Sequence, residues 1–555
     1  MQYIVGVVIN MNIRIKSIQL LLLSLSIFTF CLSVNARSHT DDKFLPMETK
    51  RPNILLVVAD DLGLFDLGYM GSEVSTPNLD ILANTGTILS DFYTAPTCSP
   101  TRSMLLSGTD NHIAGLGDMA ETSSAETKKN LGYEGYLNHQ VTSLATRLVN
   151  NGYRTYMSGK WHLGFQKGQR PAQRGFEKSF ALLDGAAGHF AQSKSIFPTH
   201  KPKYVQNDLP VVLPDNFYST ISYTDKLLNY LTIEHKNTKP FFAYLSYTAP
   251  HWPLQVPDNA LDLYQGQYDS GYDIVRQKRI AVAKNKGYVI KSATVNKQED
   301  EHSSWQSLTK DQQKYSSRQM EIYAAMIDIM DQQIGRVIRH LKETNQFDNT
   351  VIIFMSDNGP AGGNVTKKMR INKWVDNNFD KSYEKIGTVA AWGFYDHGWA
   401  AASAGINSHH KGSVYQGGIH SPAFIVLPKN QSKVRKLDQM THVKDFYSTI
   451  LDLTRTSLTE VEHSQLQSRS LLPLLIQEDL TQIDIVQGWE FRGNKALRQG
   501  NWKLVKSKNK VWQLYDLSSD PSETHDVSKN HPKKVELLLE HWNEYKNKNG
   551  VLSGN

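Results

Sequence analysis

In residues 53–60, NILLVVAD, positions 54–59 run apolar without a break, and Asp60 and Asp61 follow. A continuous apolar run of this length fits a strand covered on both faces; alternation would mark a half-exposed one. The texture returns at YRTYMSG (153–159), FFAYLSY (241–247), TVIIFMSDNG (350–359) and PAFIVLP (422–428). Between these runs the period changes. In QMEIYAAMIDIMDQQIGRVIRHLKE, Met320, Tyr323, Ile327, Met330, Ile334, Val337 and Leu341 fall at three- and four-residue steps, one face of a long helix. Strands alternating with helices predict an α/β fold, a large, mostly parallel or mixed sheet sandwiched by helices. Residues 276–313, charged and weakly periodic, are expected as an insertion packed on the outside. After about residue 456 the texture shifts again. NKALRQGNWKLVKS and KVWQLYDLSS predict adjacent antiparallel strands, and KKVELLLEHWNEYKN a closing helix. The expected organisation is a catalytic domain over 51–455 and a smaller α+β domain over 456–555.

The first 36 residues break this pattern. Arg14 and Lys16 precede an apolar run from Ile18 to Leu32, and Val34 and Ala36 stand at −3 and −1 of a cleavage site. The segment reads as a signal peptide, with Met11 as an alternative start and 37–50 as a linker. The run is shorter than the ~20 apolar residues a membrane span needs, so no stable membrane anchor is expected. Phe30 before Cys31 argues against lipid attachment there. The expected destination is the periplasm or the outside of the cell. Cleavage would take the formal charge from +7 to +5 and leave Cys98 as the sole cysteine, unable to form an internal disulfide.

Composition changes the picture little. With 40% hydrophobic and 21% charged residues the chain is ordinary globular protein. Its positive charge is spread without a dense Lys/Arg block, which disfavours nucleic acid and suits a cleft for a small anion.

Chemistry gathers at strand ends. Asp60 and Asp61 follow the first strand, and Asp357 and Asn358 follow TVIIFMS. Ligands in open α/β sheets collect beyond the carboxyl ends of strands, so these residues converge if the two strands are neighbours. Three carboxylates in one place need a cation, and an oxygen-only set suits calcium or magnesium. Each pair alone is equally consistent with helix-capping acids at unrelated turns. In PTCSPTRSMLLSG (96–108), Ser99 is expected as an N-cap, Pro100 as the first helical residue and Gly108 as the end of a short helix. Cys98 then lies at the positive end of the helix, with Arg102 one turn inside. A thiolate phosphatase loop would need arginine where Met104 stands. Lys160 and His162 in SGKWHLG, His251 in TAPHWPLQ and Lys411 in HHKGSVYQGG add cationic or proton-carrying groups. Lys160 and His162 point the same way if their segment is extended. Singly, each is as readily a solvated or structural residue; together they describe a pocket for a tetrahedral oxyanion beside a divalent metal.

Taken in order, ADDLG, CSPTR with SMLLSG, GKWHLG, APHWPLQ, MSDNG and QGGIHSPA resemble the blocks of type I sulfatases, of the alkaline phosphatase superfamily. The likeness runs from Pro52 to LYDLSSDPSETHD and is nearest to bacterial alkyl/arylsulfatases. It implies calcium held by Asp60, Asp61, Asp357 and Asn358, with Cys98 oxidised to formylglycine (3-oxoalanine) by a maturase and also facing the metal. Arg102 would hold the modified residue, and Lys160, His162, His251 and Lys411 would contact the sulfate. The hydrated aldehyde would attack sulfur, His251 with Lys411 would protonate the leaving alcohol, and His162 would help expel sulfate. The His409-His410 pair departs from the family pattern. Two alternatives stand beside this: a phosphonate monoester or phosphodiester hydrolase, whose members tend to have Asp-His where this chain has Asp357-Asn358, and a non-catalytic binder of sulfated glycans with Cys98 unconverted.

Overall fold

In the computed structural model the NILLVVAD run becomes a central strand of a ten-stranded sheet. Its strands are β1 (Asn53–Ala59), β2 (Thr87–Leu89), β3 (Arg154–Lys160), β4 (Lys178–Leu182), β5 (Tyr204–Gln206), β6 (Leu209–Pro210), β7 (Phe241–Ser246), β8 (Thr350–Ser356), β9 (Ala423–Val426) and β10 (Lys436–Leu437). They lie in the order β10-β2-β9-β8-β1-β7-β3-β4-β5-β6. The middle, β8-β1-β7-β3-β4, is parallel, while β9 runs antiparallel to β8 and to β2, and β5 antiparallel to β4. The structure describes residues 50–233, 237–295, 303–477 and 484–552, so the expected signal peptide and all but the end of the linker lie outside the described residues.

Every residue of β1, β3, β7 and β8 is buried, which is why β1, β7 and β8 run apolar instead of alternating. Alternation survives only as a division between two cores. Leu55 and Val57 face one cluster, and Ile54, Leu56 and Val58 face the other. The helices that concern the site are α1 (Cys98–Ser107), α2 (Ser219–Ile233), α3 (Tyr272–Asn285), α4 (Lys310–Glu343), α5 (Asp445–Leu453) and α6 (Pro532–Asn549). α2 and α4 cover the first face; α1 and α5 cover the second. All seven residues of the predicted apolar stripe on α4 are buried, and a Thr309–Gln312 capping box starts the helix nine residues ahead of the predicted segment.

The stretch from 276 to 313 departs from the expected outer insertion. Its first ten residues finish α3, where Arg279 is wholly buried between Asp66 (2.7 Å) and Glu73 (2.7 Å), and Arg276 donates to Gly405 O at 2.8 Å. Charge in this helix marks neutralised burial, which a charge count cannot tell from solvation.

The C-terminal part is an antiparallel meander of β11 (Val486–Phe491), β12 (Asn494–Gln499), β13 (Trp502–Lys506) and β14 (Gln513–Asp516). NKALRQGNWKLVKS is itself a hairpin, turning at Gly500 with a left-handed φ of +57°. α6 covers one side through Leu538 and Trp542 against Leu497, Leu504 and Leu514. The other side shares a core with Tyr93, Val414, Tyr415 and Ile419, so this sheet packs directly behind the loop that bears Lys411.

Candidate active site

The site lies where β1, β3, β7 and β8 end. Parallel register places Ala59 beside Ser356 and Gly159 beside Ser246, so the residues after these strands emerge together. Asp61 follows with a left-handed φ of +65°, and its N–H donates to Asp357 Oδ1 at 3.2 Å. Gly159, at φ +122°, admits the close passage of β7: a Cβ there would fall 1.8 Å from Ser246 O.

α1 delivers Cys98. The helix begins at Cys98 itself, two residues earlier than an N-cap at Ser99 implies, and Thr97 is the capping position. Pro100 sits in the first turn, where backbone N–H groups have no intrahelical acceptor and proline costs nothing. Gly108 ends the helix with φ +68° as expected. All ten residues of α1 are buried.

Cys98 Sγ lies 3.4 Å from Asp60 Oδ1, 3.8 Å from Asp61 Oδ1 and 3.1 Å from Lys411 Nζ. Each carboxylate has its own cation. Lys160 Nζ is 2.7 Å from Asp60 Oδ2, and Lys411 Nζ is 2.6 Å from Asp61 Oδ1. Arg102 donates from Nε (2.9 Å) to Asp357 Oδ2, with its second terminal nitrogen 2.7 Å away. Arg102 also donates to Lys160 O and to Ser246 Oγ, which fixes the guanidinium plane. Arg102 therefore braces Asp357 and the strand ends, and reaches Cys98 through them.

Electrostatics follow from this pairing. Burial would raise the Asp60 carboxyl, but Lys160, His251 and Arg102 outweigh it and hold the group at about 2. Asp61 is lowered in the same way: burial opposes, while Lys411 and His251 prevail. Burial, then the neighbouring Asp357, pushes the Cys98 thiol well above its ordinary range, so it stays protonated. Lys411 is held charged against its burial by Asp61 and its neighbours. A thiol in this state is a poor nucleophile.

The donor set fits a hard cation. Asp61 Oδ2 and Asn358 Oδ1 are buried without a hydrogen-bond donor. His251 Nδ1 lies 2.6 Å from Trp252 O, an acceptor, so Nδ1 carries the proton. In the neutral ring Nε2 then turns a lone pair toward Asp61 Oδ2, 3.4 Å away. Two facing lone pairs call for a proton or a metal between them. Ligand atoms of Asp60, Asp61, Cys98 and His251 all lie within 4.8 Å of one another. Carboxylate and amide oxygens are donors for calcium or magnesium.

The structure thus gathers Asp60, Asp61, Cys98, Arg102, Lys160, His251, Asp357, Asn358 and Lys411. His162 has a partner of its own. Its φ of +58° breaks the extended geometry that would have aligned it with Lys160, and its Nε2 meets Glu121 Oε1 at 2.8 Å. His410 Nε2 lies 2.7 Å from His397 Nδ1, and the His409 ring lies tilted against that of Tyr415 with centroids 4.3 Å apart. The sequence reading missed Ser246 and Glu121. The end of β7 flagged Ser246 as readily as the other strand ends, whereas Glu121 lies in a loop with no pattern to mark it.

Residues 52–456 match the family model described as Sulfatase, and residues 407–548 match one described as N-sulphoglucosamine sulphohydrolase, C-terminal. The chain belongs to the sulfatase family, with an alkaline phosphatase-like sheet, and is a sulfuric ester hydrolase. It is 40% identical to an uncharacterized sulfatase of Schizosaccharomyces pombe, over 91% of this chain and 95% of that protein. It is 38% identical to the arylsulfatase of Klebsiella aerogenes, over 71% of this chain and 84% of that enzyme. A solved structure titled Ps i-CgsB in complex with k-i-k-neocarrahexaose superposes with a TM-score of 0.64 at 25% identity, over 89% of this chain and 93% of its own.

Proposed function

We propose that the chain is a formylglycine-dependent sulfatase that holds one calcium ion and releases sulfate from aryl, alkyl or carbohydrate sulfate esters. One observation carries this reading: residue 98 is buried among three carboxylates and Lys411, beside acceptor oxygens that no protein group satisfies. Asp60, Asp61, Asp357 and Asn358 would hold the calcium. When present, formylglycine at position 98 supplies an oxygen nucleophile and calcium supplies a Lewis acid for charge on the sulfate.

The chain's own groups do the remaining work. Lys160, charged and buried, and Lys411, charged and part-buried, bind the sulfate oxygens and absorb charge developing on them, where little water enters and each charge counts for more. Arg102 keeps Asp357 in place. His251, hydrogen-bonded through Nδ1 to Trp252 O, presents Nε2 to the site and, when Nε2 also carries a proton, delivers that proton to the leaving alcohol. Lys411, which carries a proton in its charged form, joins His251 in that transfer. His162, backed by Glu121, assists sulfate release. The arylsulfatase relative supports aryl esters as substrates, and the neighbour bound to a neocarrahexaose supports carbohydrate esters. The CSPTR stretch supports a maturase as a partner, and the pattern of residues 1–36 supports export to the periplasm or beyond.

Mass spectrometry of the tryptic peptide bearing residue 98, taken from active enzyme, tests the reading. The peptide is expected to be lighter than its cysteine form by the thiol-to-aldehyde difference. Unmodified Cys98 in fully active protein overturns the mechanism. Turnover lost to a chelator and restored by calcium tests the metal; full activity after complete chelation removes it.

A further inference from the structure

Lys411 sits on a loop whose two ends are clasped by the C-terminal sheet. Glu523, in the SDPSETHD segment after β14, turns one oxygen to both flanks of that loop. Its Oε2 accepts from Ser408 Oγ at 2.7 Å and from the Gln416 N–H at 2.7 Å. Its Oε1 accepts from Lys503 Nζ of β13 at 2.6 Å, and Lys503 also donates to Gln416 Oε1 at 3.3 Å. Ser408, Gln416, Lys503 and Glu523 are all buried, Lys503 completely.

The clasp closes on itself. The Gly417 N–H donates to Ser408 O at 2.7 Å, and a Cβ on Gly417 would fall 1.9 Å from His409 O, so the loop has no slack for a side chain there. Inside it, the Lys411 N–H donates to Pro360 O (3.0 Å) and the Gly412 N–H to Pro96 O (2.8 Å). These two bonds join the loop to the turn after Asp357-Asn358 and to the entry of α1. Glu523 has a left-handed φ of +54°, a conformation a non-glycine residue keeps only where its surroundings enforce it. The Asp520 carboxylate supplies that enforcement, accepting from the N–H groups of Thr524 (2.8 Å) and His525 (2.9 Å).

We propose that Glu523 is a positioning residue for Lys411: by holding Ser408 and Gln416 at one carboxylate oxygen, it fixes the loop that aims the Lys411 ammonium at residue 98. The proposal rests on the reading that Lys411 meets the sulfate. It makes the C-terminal sheet part of the catalytic apparatus, although among the described residues no atom of that sheet touches Cys98. A plain structural role for Glu523 would lower stability and leave the action of Lys411 alone.

A double-mutant cycle between Glu523→Gln and Lys411→Ala separates the two. It is read as kcat/KM on a nitrophenyl sulfate and as the inhibition constant of inorganic sulfate, with the mature full-length enzyme. Glutamine keeps the shape but puts an NH2 where one accepting oxygen was. In the parent, E523Q is expected to lower kcat/KM about 10–100-fold, the effect of a small misplacement, and to weaken sulfate inhibition. In the K411A background E523Q is expected to change neither quantity. Equal losses in both backgrounds overturn the proposal. If K411A alone keeps full activity, the role given to Lys411 falls and takes this proposal with it. If K411A loses activity but the losses add, only the role of Glu523 falls. Should E523Q fail to fold, Ser408→Ala, which removes one of the three clasping bonds and leaves the Lys503 pair intact, runs the same cycle with the same outcomes.

Discussion

The imidazole of His112, five residues past the end of α1, makes a strong pH prediction. Its Nδ1 lies 2.7 Å from Asp110 Oδ1 and its Nε2 lies 3.5 Å from Glu490 Oε2, on β11. The ring is 2% exposed. Burial pushes its pKa down, but the hydrogen bond it donates to Asp110 and the charge of the two carboxylates prevail and lift it from 6.5 to about 9. The folded protein therefore binds this proton more tightly than the unfolded chain. The resulting stability is complete below about pH 6.5 and drains away as pH climbs through about 9. At 1.36 kcal/mol per pH unit, the rise amounts to about 3 kcal/mol. His112→Gln removes the titrating group and leaves its neighbours. Urea denaturation midpoints near pH 6 and near pH 10, measured for both proteins, check the value. The parent is expected to lose more stability over this interval than H112Q, by about 3 kcal/mol. Equal losses in the two proteins would refute the argument, because every other group titrating in that range is common to both.

Two further predictions concern the site. His251→Ala should reduce kcat on alkyl sulfates by about 10²–10⁴-fold and on nitrophenyl sulfate by much less, since only the poor leaving group needs the proton; equal reductions on both rule out proton donation. Gly159→Ala drives a Cβ to 1.8 Å from Ser246 O in a backbone conformation that disfavours alanine, so a loss on the order of 3 kcal/mol is expected in thermal or urea melts, with activity falling too.

Much of the architecture could be read from periodicity because burial itself shapes it. β1, β7 and β8 have both faces covered, so their apolar runs were unbroken and their ends sharply marked by polar residues. The residues beyond those ends, Asp60, Asp61, Asp357 and Asn358, were legible for the same reason. The edge strands β5 and β6 are short and part-exposed, and left no such trace. Charge misled where it was paired: Arg279 looked like surface because its partners, Asp66 and Glu73, lie more than 200 positions away in the chain. The expected alignment of His162 with Lys160 assumed an extended backbone, and the left-handed φ at His162 is one that no side-chain pattern announces. Glu523 was visible within its motif, but its contacts with Ser408 and Gln416 span more than 100 residues and exist only after the two sheets meet.

The burial of α1 sets an order of events. Cys98 is 1% exposed, it opens a helix with no residue at the surface, and the helix is pinned between the sheet and α5. A visiting enzyme has no path to that side chain once folding is complete, short of unwinding the helix. Any editing of residue 98 therefore belongs to the newborn chain, while CSPTR is still a thread that another protein can grip.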